Sequence, residues 1–192
     1  MTEGLLKAAE KYFPASGSSQ AVPSQARDKM GKPDIRIIGV DPGLASTGWG
    51  VVGLSSGKPK YIVHGCIETS AEESNPARLA CIYRSFLKIL RKYKPVEAAM
   101  ENLYFGKNAS SAMVVAEARG VLLMAFGDKG IPVRELTPNT IKKAVAGVTR
   151  ADKSQVQEMV RVILGLKEIP KPDHAADALG AAIYVAHNVS NV

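Results

Sequence analysis

The stretch Ile35-Arg36-Ile37-Ile38-Gly39-Val40-Asp41-Pro42-Gly43 sets the reading of this chain. Ile35, Ile37, Ile38 and Val40 form a short β-branched run, which suits a strand buried on the sheet, and Asp41-Pro42-Gly43 is turn chemistry that stops it. An acidic residue is thereby left at the C-terminal end of the first strand. Working outward, Thr47 to Leu54 and Tyr61 to Glu68 read as two further strands, joined by a hairpin connection over Ser55-Ser56-Gly57-Lys58-Pro59. Three consecutive antiparallel strands are expected.

The period then changes. Leu79, Ile82, Tyr83, Phe86, Leu87 and Leu90 recur at helical spacing, with Arg84, Lys88, Arg91 and Lys92 elsewhere on the wheel, so an amphipathic helix runs from Pro76 to near Pro95. Val96 to Met100 is a short strand ending in Glu101. Ser110 to Gly127 is a helix of small and apolar residues, and Ile131 to Leu136 is a strand before Pro138. Strand, helix and strand in alternation imply parallel pairing. The last third is helical. Asn139 to Val145 comes first, then a helix beginning at Asp152 with Gln155 as its capping-box partner, and a final helix starting at Asp173 after Pro170 and Pro172.

Length and composition bound the rest. A chain of 192 residues suits one domain with a full core. Residues 1–33, rich in Ser, Ala, Gln, Pro and Gly, read as a flexible N-terminal extension to a domain over residues 34–189. Leu5, Leu6, Ala9, Tyr12 and Phe13 hint at a short amphipathic helix there, and Glu3 and Glu10 argue against an organelle-targeting peptide. The net charge of +7 and a pI near 9.4 favour a polyanionic partner. Two cysteines, Cys66 and Cys81, form no metal-binding spacing and no disulfide framework. No apolar run is long enough for a membrane span, so a cytoplasmic location is expected.

Three features carry the chemistry: Asp41 after the first strand, Glu101 after the fourth, and Asp173, His174 and Asp177 at the start of the last helix. Strands one and four are often neighbours in parallel topologies, which would set Asp41 and Glu101 side by side. His174 and Asp177 are three apart and share a helix face. Each residue has an ordinary explanation. Asp41 suits a turn, Glu101 a loop, and Asp173 a helix N-cap, whereas His174 and Asp177 have no such default role. Gathered together, bare carboxylates repel, and divalent cations with oxygen ligands are the usual remedy. Two such ions can activate a water and stabilise the leaving oxygen in phosphodiester hydrolysis.

The segments IGVDPGLASTGWGV (38–51), MENLYFGKNASSA (100–112), EARG (117–120), DKSQVQEMV (152–160) and DHAADALGAAI (173–183) resemble the RuvC family of Holliday-junction resolvases in order and spacing. The resemblance spans about residues 35 to 187. It implies an α/β, RNase H-like mixed five-stranded sheet flanked by helices, a homodimer, dependence on Mg²⁺ or Mn²⁺ with two ions per site, and symmetric paired nicks across a four-way DNA junction in recombination and repair. Carried over, the catalytic and metal-binding positions are Asp41, Glu101, His174 and Asp177. Many members have Asp where this chain has His174, so metal preference there is open, as are the choice between ligand and general base and any part played by Asp173. The resemblance aligns an aromatic with Tyr104, which with Phe105 and Lys107 sits on the loop after Glu101, where stacking on an unpaired base is expected. Lys142 and Lys153 match basic positions near the scissile phosphate, and Arg119 and Arg150 are further candidates for DNA contact. RuvA and RuvB branch-migration proteins are the implied partners.

Three other readings compete. Asp-x-Gly followed by Thr-Gly resembles a phosphate loop of actin-like ATPases, but those need two such domains. A junction-binding protein that no longer cuts is opposed by intact Asp41, Glu101 and Asp177. A general RNase H acting on RNA-DNA hybrids differs in substrate.

Overall fold

The computed structural model describes residues 35–102 and 109–189. In chain order the elements are β1 (Ile35–Asp41), β2 (Ser46–Ser55), β3 (Lys58–Glu68), α1 (Asn75–Tyr93), β4 (Glu97–Glu101), α2 (Ala109–Lys129), β5 (Val133–Leu136), α3 (Pro138–Ala146), α4 (Lys153–Leu164) and α5 (Asp173–Val189). The expected extension over residues 1–33 lies outside the described residues.

The strands form one sheet in the order β3-β2-β1-β4-β5. β1 pairs antiparallel with β2 and β2 with β3, whereas β1 with β4 and β4 with β5 are parallel. Helices cover both faces, which is why β1 carries a nearly continuous β-branched run. Its side chains still alternate. Ile37 joins Val52 and Ala99 against α3, α4 and α5, with Ile141, Val145, Val156, Val160, Leu179 and Ile183 as their partners. Ile38 and Val40 point the other way, with Val51 and Met100, onto Ile82, Phe86 and Leu90 of α1 and Leu122 and Phe126 of α2. Phe86 and Phe126 meet edge to face at 5.1 Å between ring centroids.

Local signals explain most boundaries. The hairpin is tighter than the five-residue connection expected: β2 runs to Ser55 and β3 starts at Lys58, leaving only Ser56 and Gly57 to turn the chain. Both have positive φ, 52° and 75°, the conformation that a two-residue turn matching the strand twist requires. α1 closes at Lys94, left-handed at φ 48°, just before Pro95. α3 is capped by Thr137, whose side chain accepts from the Thr140 N–H. α4 carries the Asp152/Gln155 capping box.

α5 is the central helix, and ten of its residues are buried. It approaches the sheet closely because Gly39, Gly48 and Gly50 present no side chains beneath it. A Cβ on Gly39 would fall 1.8 Å from the Ala178 carbonyl oxygen, and one on Gly48 would fall 2.1 Å from that of His174.

Candidate active site

The site begins with register. Val40 lies opposite Met100 in the parallel β1–β4 pair, so the next residues, Asp41 and Glu101, emerge side by side at the C-terminal ends of adjacent strands. Open α/β sheets form their crevices at such ends, outside the carboxyl termini of parallel strands.

α5 brings the remaining candidates. With Gly48 beneath its first turn, the helix sits low enough for His174 to reach β1, and its Nδ1–H donates to Asp41 Oδ2 at 2.7 Å. Asp177, one turn further on, forms an ion pair with Lys153 at 3.2 Å, and the same ammonium reaches Asp173 at 3.3 Å. Lys153 is the first residue of α4, so the Asp152/Gln155 cap that starts this helix also places that cation.

Charge follows burial. Burial pushes the Asp41 carboxyl above its ordinary value; the hydrogen bond and charge of His174 oppose this, and Asp177 adds to it. Glu101 is also raised, first by burial and then by the negative charges of Asp41 and Asp177, with Lys142 pulling the other way. Burial works against the charge on Lys153, but Asp177 and Asp173 outweigh it and leave this lysine above its usual value. Asp173 is held below the ordinary carboxylate range by Lys153.

Two hollows share Glu101. One is lined by Glu101, Pro138, Ile141, Lys142, Lys153, Val156 and Asp177. The other is lined by Asp41, Pro42, Glu101, Asn102, Val115, Arg119 and Pro138. Asp41, Glu101, His174, Asp177, Lys142 and Lys153 are therefore brought to one end of the sheet. Arg119 borders the second hollow, tied to Glu135 at 2.7 Å. Arg150 lies elsewhere, on an exposed surface with Lys143, Val148 and Thr149. Tyr104, Phe105 and Lys107 lie outside the described residues.

The donor chemistry fits a divalent cation. Three carboxylates supply hard oxygen donors, and the burial that raises Asp41 and Glu101, with Asp177 adding to both, penalises charged forms that a cation would favour. Among the described residues, however, no three acidic, histidine or cysteine side chains close around one point. His174 is engaged with Asp41, and Lys153 holds Asp177. Lys153 thus stands against the acidic group as an internal counter-charge.

Two contributors were not evident in the sequence. Asn102 follows Glu101 into the second hollow, where its Oδ1 and the Nε of Arg119 are both buried without a hydrogen-bond partner among the described residues. The adjacency of Asn102 to Glu101 was the available signal. Gly48 is the other; its role depends on what lies above it, which strand pattern does not reveal.

A mixed five-stranded sheet in this order, helices on both faces and acidic residues at the ends of β1 and β4 define an RNase H-like α/β protein. The family model described as crossover junction endodeoxyribonuclease RuvC matches residues 37–187. A relative of that name from Treponema denticola is 53% identical over 147 residues, 77% of this chain and 83% of the relative. One from Chloroflexus aurantiacus is 47% identical over 153 residues, covering 80% and 93%. The structure of T. thermophilus RuvC in complex with a Holliday junction substrate superposes with a TM-score of 0.77 at 35% identity, covering 82% of this chain and 96% of that one. The chain belongs to the RuvC family.

Proposed function

We propose that the chain is a metal-dependent endonuclease that resolves four-way DNA junctions by symmetric paired nicks in recombination and repair. The observation that carries this reading is the meeting of Asp41 and Glu101, from adjoining strand ends, with His174 and Asp177 of α5 beneath Lys142 and Lys153. Family membership supports the substrate, since the T. thermophilus relative is described with a Holliday junction.

Asp41, Glu101 and Asp177 would hold Mg²⁺ or Mn²⁺, two ions per site, with His174 either ligating through its second ring nitrogen or taking a proton from the attacking water. Bound cations would supply charge stabilisation at the attacking and leaving oxygens. The reaction consumes one water, breaks one P–O bond, and leaves a phosphate monoester and a hydroxyl. Asp41 orients the His174 ring, and a neutral imidazole can accept the water's proton. Lys142 and Lys153 face the phosphate, and Asp177, paired with Lys153 through one oxygen, can ligate through the other. Arg119 lends further positive charge beside Glu101. Tyr104 is assigned to stacking at the junction centre, and Phe105 and Lys107 to DNA contact.

Two nicks on a two-fold junction require two sites related by a two-fold axis, and hence a homodimer. We assign the contact between copies to α2, where Met113 and Met124 are 63% and 60% exposed and Gly120 and Gly127 have open space above them. RuvA and RuvB are the proposed branch-migration partners. Among the described residues no helix is long and apolar enough to cross a membrane, and we assign the protein to the bacterial cytoplasm.

The test offers the protein a four-way junction and an RNA-DNA hybrid of matched length, with and without Mg²⁺. The proposed reading expects Mg²⁺-dependent cutting of the junction alone. Preferential cutting of the hybrid would replace it with a general RNase H.

A further inference from the structure

α1 carries Arg78, Arg84, Lys88, Arg91 and Lys92 and has no acidic residue anywhere along its length. Ile82, Phe86 and Leu90 are buried, and at about 100° per residue Arg84, Lys88 and Arg91 project from the opposite side. All three are exposed, and with Cys81, Ser85 and Leu87 they line a shallow groove along the helix. Among the described residues none of the three forms an ion pair.

An ordinary solvated helix face mixes charges, because opposite charges four apart support a helix and like charges four apart weaken it. Here Arg84 and Lys88, and Lys88 and Lys92, are like-charged pairs at that spacing. Arg91 and Lys92 lie in the last turn, where cations suit the helix dipole, but the repulsion among Arg84, Lys88 and Lys92 brings the helix nothing, so the benefit of that clustering is external. The chemistry also discriminates between partners. Protein interfaces are anchored by aromatic or other large apolar groups, and α1 exposes none, since the exposed large hydrophobics all lie on other elements. A ridge of cations without apolar anchors suits an evenly charged polyanion.

The position is as informative as the charge. α1 starts at the end of the sheet that carries Asp41 and Glu101 and descends away from it, antiparallel to β1 and β4. Arg91 is sixteen residues beyond Asn75, about 24 Å along the axis at about 1.5 Å per residue. We propose that the Arg84-Lys88-Arg91 face of α1 binds the phosphate backbone of a duplex arm leaving the junction, well beyond the point of cleavage. This inference rests on the reading of the chain as a junction nuclease.

The experiment compares the full-length protein with the triple variant Arg84→Ala, Lys88→Ala, Arg91→Ala, using a junction with arms of about 25 base pairs and one with arms of about 5. A third protein, Lys58→Ala, Lys60→Ala, Lys171→Ala, loses the same net charge from other exposed positions. Alanine is the best helix former and the like-charge pairs disappear, so the α1 variant should fold at least as well. Each lost phosphate contact reduces the salt slope of log K by about 0.9, so the α1 variant should lose about 2 to 3 in slope on the long-armed junction. On the short-armed one, whose arms end at about 17 Å at about 3.4 Å per base pair, it should lose at most about 1, because Arg84 alone lies clearly within that reach. Its nicking rate at saturating junction should be unchanged, whereas failure of every protein to nick would count against the nuclease reading instead. An unchanged slope on long arms would overturn the proposal and leave the face to an acidic protein or to solvent. Equal losses on both junctions, or an equal loss in the control variant, would reduce it to net charge.

Discussion

Asp41 and His174 stand 133 residues apart in sequence and are joined by a hydrogen bond of 2.7 Å, the Nδ1–H of the ring donating to the carboxylate. This bond holds the imidazole in one orientation and leaves its second nitrogen for a metal or a water proton. It also makes the two residues interdependent: a change at either alters the bond as well as the group. Asp41→Asn should abolish cleavage while leaving junction binding intact or tighter, because a proposed ligand is lost and repulsion toward phosphate falls. Nicking assays beside gel-shift titrations check this, and retained nicking would remove Asp41 from the chemistry.

His174 has two available roles, which substitution separates. His174→Ala should be nearly inactive in Mg²⁺ under either role, and His174→Asp should keep cleavage. If the ring is a ligand, raised Mn²⁺ should partly rescue the Ala variant, because imidazole suits Mn²⁺ better than Mg²⁺. If it is a base, Mn²⁺ should not. Full activity of His174→Ala in ordinary Mg²⁺ would exclude both.

Much of this site was legible before folding. Asp41 and Glu101 each close an apolar strand, and the parallel β1–β4 pairing expected from alternating strands and helices does set them side by side. Asp152 and Gln155 form the expected box. Pairing partners across a cleft were not legible. Asp173 reads as an N-cap from its place before a helix, yet its carboxylate holds Lys153, 20 residues earlier in sequence and on another helix. The hairpin was read as longer than it is, because Lys58 and Pro59 look like loop residues although both continue the β3 ladder.

Glu101 gives a pH prediction. Burial raises its folded pKa, so the folded protein holds that proton more tightly than the unfolded chain. Stability from this group is present at acid pH and is lost as pH rises from the ordinary glutamate range through the raised folded value. Glu101→Gln should therefore melt slightly higher than the parent protein at neutral pH without metal, and the gain should vanish in acid. Thermal scans at both pH values test this; a lower melting temperature for the Gln variant at neutral pH would show that the carboxylate is already compensated.

Gly48→Ala places a methyl group 2.1 Å from the His174 carbonyl oxygen, so the first turn of α5 must lift. Overpacking of this kind costs about 1 to 3 kcal/mol. Denaturation should show that loss, and cleavage should fall much further than junction binding, because His174 leaves Asp41. Unchanged cleavage would mean that the Asp41–His174 contact is dispensable.

Met124→Glu replaces one of the two exposed methionines of α2 with a charge. Sedimentation should show a dimer for the parent protein and a monomer for the variant, with paired nicks replaced by single ones. A parent protein that is monomeric at working concentration and still makes paired nicks would contradict the two-fold requirement.

The most direct measurement is mapping of the nicks made in a mobile synthetic four-way junction. Two nicks are expected at symmetric positions on opposing strands, present with Mg²⁺ or Mn²⁺, absent with chelator, and absent in Asp41→Asn. Junction binding without any nick in either metal, or nicks that persist in Asp41→Asn, would contradict this.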